Sequence, residues 1–183
     1  MSELDIEEGS EIEAARTGAT MRRHKSPQGY GTPWDLIRAC QVFFRRRVLW
    51  DLAANEGNAK AERFITKEQD SLSMSWGALA RGRSDMLWLN PPFSDIAPWA
   101  RKCAQEGMSG APILLLTPAS IGSNWFREHV FGKAAVFALN GRITFTGATQ
   151  PYPKDCIISA FGLQMGPGFS VWQWGKDVPG GGE

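Results

Sequence analysis

Four apolar residues, Met86-Leu87-Trp88-Leu89, run directly into Asn90-Pro91-Pro92-Phe93. The apolar run has the length and character of a buried strand. Two successive prolines lack the N–H groups that a central strand must donate, so the strand ends there and the chain turns. A polar side chain, Asn90, is thereby stationed at the carboxyl end of a buried strand. In an open α/β sheet, ligands bind at such ends.

The rest of the chain supplies partners for that strand. Thr32 is suited to cap a helix and Pro33 to open it, giving a helix over residues 33–44 with Leu36, Ile37, Cys40, Phe43 and Phe44 on one face. Residues 48–53 read as a short buried strand and 64–66 as another. Ser94 or Asp95 caps a helix reaching about residue 106, and Ile113-Leu114-Leu115-Leu116-Thr117 is a buried-strand run stopped by Pro118. A helix is expected over 125–131. Residues 135–139, 142–146 and 157–161 then read as strands close in sequence, with Asn140-Gly141 a hairpin-type turn, and 171–174 as one more. Strands alternating with helices and then with each other imply an α/β sheet, mostly parallel, with antiparallel strands at its C-terminal edge.

At 183 residues the chain suits one domain. Residues 1–29 are polar and lack an apolar period, which predicts a flexible tail before a domain over 30–175 and a short tail over 176–183. The first 15 residues hold six acids and no Lys or Arg, so residues 16–183 carry 20 basic against 13 acidic side chains. That surplus suits a polyanion such as DNA. Arg22-Arg23-His24-Lys25 is either a solvated cluster or a phosphate contact. The eight tryptophans are either core residues or, in part, surfaces for stacking on flat ligands. Cys40, Cys103 and Cys156 form no CxxC pair and no Cys/His cluster, so neither a metal site nor a disulfide framework is expected, and reduced thiols in a cytoplasm fit best. The acidic N-terminus is no signal peptide, and no apolar run is long enough to cross a membrane.

Asn90-Pro91-Pro92-Phe93 resembles the Asp/Asn-Pro-Pro-Tyr/Phe motif of amino-methyltransferases. An exocyclic base amine is a poor nucleophile because its lone pair is delocalised into the ring. Acceptors aimed at its two N–H groups favour a pyramidal nitrogen with a localised lone pair. The Asn90 side-chain carbonyl and the Pro91 backbone carbonyl can be those acceptors, Pro92 keeps the turn stiff, and Phe93 can stack on the base. The plainer reading is a proline turn with Phe93 in the core.

Further ordered landmarks make the resemblance more specific. Over about residues 30–162 the sequence resembles the small phage-type DNA N-6-adenine methyltransferases, the phage Dam family. The matching residues begin with Tyr30-Gly31-Thr32-Pro33, Asp51-Leu52-Ala53-Ala54 and Asn58-Ala59-Lys60. They continue through Phe64-Ile65-Thr66, Asp70 with Leu72 and Trp76, the Asn90 motif with Trp99, and Leu116-Thr117-Pro118. Trp125-Phe126, Gly141-Arg142-Ile143-Thr144-Phe145 and Phe161 complete them.

The resemblance implies a Rossmann-like class I methyltransferase sheet, S-adenosylmethionine as cofactor, and methyl transfer to N6 of an adenine flipped out of DNA. It implies an enzyme acting in the cytoplasm of a bacterial host cell. It places cofactor contacts at Thr32, Pro33, Asp51, Ala53, Asn58, Asp70 and Asn90. Of these, Thr32 and Pro33 lie near the methionine, Asp51 faces its amino group, and Asp70 meets the ribose hydroxyls or the adenine amine. Asp51 could instead cap a helix, and Asp70 could be an ordinary loop acid. Ala53-Ala54-Asn55-Glu56-Gly57 stands where many methyltransferases have Gly-x-Gly.

For DNA contacts the candidates are Gln150, Tyr152 and Lys154 in the 146–155 loop and the run Arg45-Arg46-Arg47. The plainer readings are a proline-rich connection and a solvated turn after a helix. The motif alone also fits methylation of cytosine N4, an RNA base or a protein glutamine, and a DNA-binding module without catalysis stands as a non-enzyme alternative. The recognition sequence and the oligomeric state, a homodimer included, are left open.

Overall fold

The computed structural model describes residues 31–80 and 82–177. The expected tail over 1–29, its basic cluster, Tyr30 and residues 178–183 lie outside the described residues. In chain order the elements are α1 (Trp34–Phe44), β1 (Arg47–Asp51), β2 (Arg63–Phe64), β3 (Asp85–Leu89), α2 (Ala97–Met108), β4 (Ile113–Pro118), α3 (Asn124–His129), β5 (Ala135–Leu139), β6 (Cys156–Phe161) and β7 (Gly168–Trp172).

The strands form one seven-stranded sheet in the order β2-β1-β3-β4-β6-β5-β7. All neighbours are parallel except β6, which runs against both β4 and β5. This is the Rossmann-like α/β arrangement that the sequence implies, with its antiparallel strand inserted between β4 and β5. Side chains alternate along each strand, so the sheet has a core on both faces. On one face Leu36, Ile37 and Cys40 of α1 pack over Met86, Trp88, Leu114 and Leu116. On the other, Ala100 and Cys103 of α2 and Phe126 of α3 pack over Leu87, Leu89, Ile113 and Leu115. Trp76 and Trp88 are fully buried core residues.

Several expected boundaries move, each for a local reason. Thr32 does not cap α1: Pro33 occupies the cap position with no side-chain bond, and the helix starts at Trp34. An antiparallel bridge from Gly31 to Thr146 holds the preceding residues extended. Phe43 lies at the margin of the buried face: it is 37% exposed, with its ring against Trp172 at 4.6 Å and Phe137 at 5.2 Å. Neither Ser94 nor Asp95 caps α2, because Asp95 N–H closes a turn onto the Pro92 carbonyl (3.3 Å) and the helix begins at Ala97. α3 starts earlier than expected, capped by the Ser123 hydroxyl, which accepts from Phe126 N–H.

The largest change is at residues 142–146, which form neither a strand nor the second arm of a hairpin. β5 already has β6 on one side and β7 on the other, so no free edge remains for that segment. Instead Gly141 turns the chain out of the sheet at φ +100°, and Ile143 and Phe145 drop into the core on the α1 side. Asp177, expected in a C-terminal tail, closes a final turn by accepting from Trp172 Nε1 at 2.6 Å.

Helix α2 lies so close to β6 that a Cβ on Gly107 would fall 2.6 Å from the Phe161 Cβ. Replacing a helical glycine by alanine ordinarily stabilises by up to about 1 kcal/mol. Here Gly107→Ala should destabilise by about 1–3 kcal/mol in urea unfolding, because helix and sheet must separate. A stabilised variant would show that α2 can move off β6 freely.

Candidate active site

The sheet order reverses at β1: the chain passes to β2 on one side and to β3 on the other. Loops leaving the carboxyl ends of β1 and β3 therefore diverge and leave a crevice between them. It is a cleft of about 1470 Å³, and its lining includes Asp51, the last residue of β1, and Asn90, the first after β3.

A bulge aims Asp51 into this cleft. Val48 pairs with Met86 but Trp50 pairs with Leu87, so Leu49 is an extra residue and the alternation shifts by one. Asp51 then shares the Trp88 side of the sheet, the side that carries α1. The residue is only 3% exposed, and its carboxylate accepts two backbone N–H bonds, from Ala53 (3.3 Å) and Lys60 (3.0 Å). Burial pushes its pKa up to about 6, against the opposing pull of those two N–H groups and the Lys60 charge. Lys60 is itself buried, with Nζ 4.9 Å from the centre of the Trp34 ring. Burial lowers its pKa and the Asp51 charge raises it.

Asp51 is thus a strand-end acid and not a helix cap. The loop after it does without Gly-x-Gly because side chains bind its backbone: Asn55 Oδ1 accepts from Gly57 N–H (2.9 Å) and Asn58 Oδ1 from Asn55 N–H (2.8 Å).

On the other wall Asn90 is half-buried and Pro91 buried. Phe93 is half-buried and meets Phe145 (6.0 Å) and Tyr152 (5.7 Å) edge-on, and those two rings are themselves 5.6 Å apart, also edge-on. The three rings, one from the motif and two from the 140–155 segment, form an aromatic flank able to hold a flat ligand. Burial raises the Tyr152 pKa, with the neighbouring Cys156 adding to the shift. Tyr152 N–H bonds the Ile143 carbonyl (2.8 Å) within this segment, and Thr146 N–H bonds the Gly31 carbonyl (2.8 Å), which ties it to the residues before α1.

Of the sequence-derived candidates, Thr32, Asp51, Ala53, Asn58, Asp70 and Asn90 line the cleft, as do Pro91, Pro92 and Phe93. Tyr152 and Lys154 line it too, while Pro33 and Gln150 do not. Arg45, Arg46 and Arg47 sit before β1 and at its first residue, at the end of that strand opposite Asp51, so the structure does not bring them to the cleft. Arg46 Nη1 donates to the Asp85 carbonyl (3.1 Å), and Arg47 pairs with the Asp85 carboxylate (3.2 Å).

Ser71, Trp99, Trp125 and Phe145 also line the cleft; the last three are landmarks of the resemblance, but the sequence assigned none of the four to the site. The buried hydroxyls of Thr32 and Ser71 have no hydrogen-bond partner among the described residues, although both residues border the cleft. Unpaired buried hydroxyls beside a cavity are what a polar ligand would satisfy. No group of His, Cys, Asp and Glu among the described residues could hold a metal ion.

Comparison with known proteins points to one family. The family described as DNA N-6-adenine-methyltransferase (Dam) matches residues 20–157. The chain is 30% identical over 118 residues to the DNA N-6-adenine-methyltransferase of Haemophilus phage HP1 (strain HP1c1), covering 63% of this chain and 65% of that protein. It is 29% identical over 115 residues to the DNA N-6-adenine-methyltransferase of Escherichia phage T1, covering 63% of this chain and 46% of that protein. The chain therefore spans a little under two thirds of the first of these curated relatives and less than half of the second.

The Asp51 pKa has a consequence for stability. A carboxyl that titrates near 6 when folded and near 4 when unfolded binds more protons folded across that window, so its contribution is lost as pH rises from about 4 to about 6. Relative to Asp51→Asn, the unmodified chain should lose about 3 kcal/mol of unfolding free energy across that window, with a plateau above it. Parallel stability curves for the two proteins would mean that Asp51 titrates normally.

Proposed function

The chain belongs to the DNA N-6-adenine-methyltransferase (Dam) family, and on that basis we propose that it transfers a methyl group from S-adenosylmethionine to the N6 amine of a flipped-out adenine in DNA. The observation that carries this reading is one shared cleft. It joins Asn90 and Pro91, two carbonyl acceptors, to the buried Asp51 carboxylate and to an aromatic flank.

Asp51 receives the cofactor's methionine ammonium, directly or through water, and is held ready by its two backbone bonds. The hydroxyls of Thr32 and Ser71 gain a partner when the cofactor is in place, and Asp70 meets its ribose hydroxyls or adenine amine. The cofactor supplies an electrophilic methyl group on a sulfonium. Asn90 Oδ1 and the Pro91 carbonyl accept from the two N–H groups of the target amine, which concentrates the lone pair on nitrogen. Phe93 packs on the adenine, with Phe145 and Tyr152 behind it. Direct transfer needs no covalent link to the protein, so positioning and electrostatics supply the rate. The nitrogen then sheds one proton to water.

The Asn-Pro-Pro-Phe tetrapeptide alone also fits cytosine N4, RNA bases and glutamine; family membership supports adenine in DNA. The catalytic domain on this reading is residues 30–175. The setting is the cytoplasm of a bacterial host, consistent with phage relatives and three buried, unpaired cysteines.

Labelled methyl transfer to unmethylated duplex DNA, followed by nucleoside mass spectrometry, should yield N6-methyldeoxyadenosine; a different modified nucleoside would overturn the choice of target. Asn90→Ala should lower transfer by at least about 100-fold with cofactor affinity within a few-fold of the original. Loss of both together would contradict its role as an acceptor for the target amine. Asp51→Ala should weaken cofactor binding at least about 10-fold in calorimetry, the scale of one lost charge-assisted hydrogen bond. An unchanged affinity would remove Asp51 from the cofactor site.

A further inference from the structure

A second, smaller pocket of about 310 Å³ adjoins the cleft and shares Ser120 and Lys154 with it. It lies where the β4–β6 ladder ends, at the Pro118–Cys156 pair. The Ala119 N–H bond to the Asp155 carbonyl (2.8 Å) extends that ladder by one rung. The pocket is lined by loop residues, two of which, Ala119 and Asp155, are tied to the end of the sheet by that bond. Its charged members are Arg142, Lys154 and Asp155, and Ser120 adds a hydroxyl.

Arg142 and Asp155 are the only opposed pair here, and their contact is loose. Nε and Oδ1 are 3.8 Å apart, with the two side chains 58% and 76% exposed. An exposed pair at that distance contributes little to stability. Lys154 has no ion-pair partner among the described residues. Two cationic residues and a serine lining one small pocket suit a tetrahedral oxyanion, which a guanidinium binds through two parallel N–H bonds.

The position of the pocket selects which oxyanion. When a nucleotide is turned out of a duplex and its base enters a cleft, its phosphodiesters stay at the cleft mouth. We propose that Arg142, Lys154 and Ser120 form a clamp for a DNA backbone phosphodiester next to the flipped adenine, with Asp155 holding Arg142 until DNA displaces it. This rests on the functional reading above for the identity of the flipped nucleotide, but the clamp is read by binding and not by turnover. Its role is positioning: it would set the register of the strand over the cleft without reading sequence.

The test measures affinity for unmethylated duplex DNA across a salt series, for the original chain, Arg142→Gln, Lys154→Gln and Asp155→Asn, with cofactor affinity as the check on folding. Each lost phosphate contact should make the slope of log K against log salt shallower by about 0.9. Arg142→Gln and Lys154→Gln should each weaken binding several-fold at low salt, equally for unrelated sequences, and leave cofactor affinity unchanged. Asp155→Asn should tighten DNA binding.

Unchanged affinity and slope in Arg142→Gln would overturn the clamp, as would weaker binding in Asp155→Asn. Saturable binding of inorganic phosphate at sub-millimolar concentration, without DNA, would overturn it in favour of a free-anion site. The two readings fail separately. A chain that makes N6-methyldeoxyadenosine but shows no Arg142 effect loses only the clamp. A chain that makes none, yet shows the slope changes, loses only the reaction.

Discussion

In β1 the ladder to β3 carries one residue too many, since Val48 faces Met86 and Trp50 faces Leu87 with Leu49 left between them. Without that bulge, strict alternation would turn Asp51 toward α2 and leave Trp50 on the α1 side. With it, Trp50 joins the core beneath α2 and α3, and the Asp51 carboxylate meets the loop that begins at Leu52. A carboxylate so buried is costly unless its lone pairs are bonded. The Ala53 and Lys60 N–H groups bond it, and in doing so they shape the 52–60 loop around it. The loop thus folds around a charge where many related sites rely on glycines.

The two walls of the cleft are joined through the sheet itself. Asp51 pairs with Trp88, and Leu52 N–H bonds the Trp88 carbonyl at 2.9 Å, so the acid and the Asn90 turn share one ladder. Rigid strands fix the distance between the group that would hold a cofactor and the groups that would hold a base. Direct transfer between two bound molecules depends on that kind of fixed geometry. The third component, the 140–155 segment, is held less directly, by backbone bonds between Thr146 and Gly31 and between Ala119 and Asp155 and by its packed aromatic rings. It brings Phe145, Tyr152 and Lys154 to the cleft and Arg142 to its rim.

Much of the site was readable because it rests on local, covalent constraints. Pro91 and Pro92 end a strand wherever they fall in one, so the place of Asn90 follows from four consecutive residues. Apolar runs such as Ile113-Leu114-Leu115-Leu116 need burial on both faces, and that was enough for the α/β class and most strand positions. The basic run Arg45-Arg46-Arg47 marks the limit of such local reading: charge in sequence says nothing of which end of a strand it will occupy. Asp85 claims two of those arginines at the end of β1 away from Asp51.

What sequence could not decide was set by competition among distant segments. Residues 142–146 have strand-like composition, yet β6 and β7 already flank β5, so the segment was left to fold over the cleft. The bulge at Leu49 is a matter of register between strands nearly 40 residues apart, and no residue type announces it. The orphan hydroxyls of Thr32 and Ser71 gain their meaning only from the cavity they border. Backbone chemistry acts over a few residues and can be read from their order. Pairing and burial choose among many segments at once, so the direction of Asp51 and the aromatic flank exist only in the folded chain.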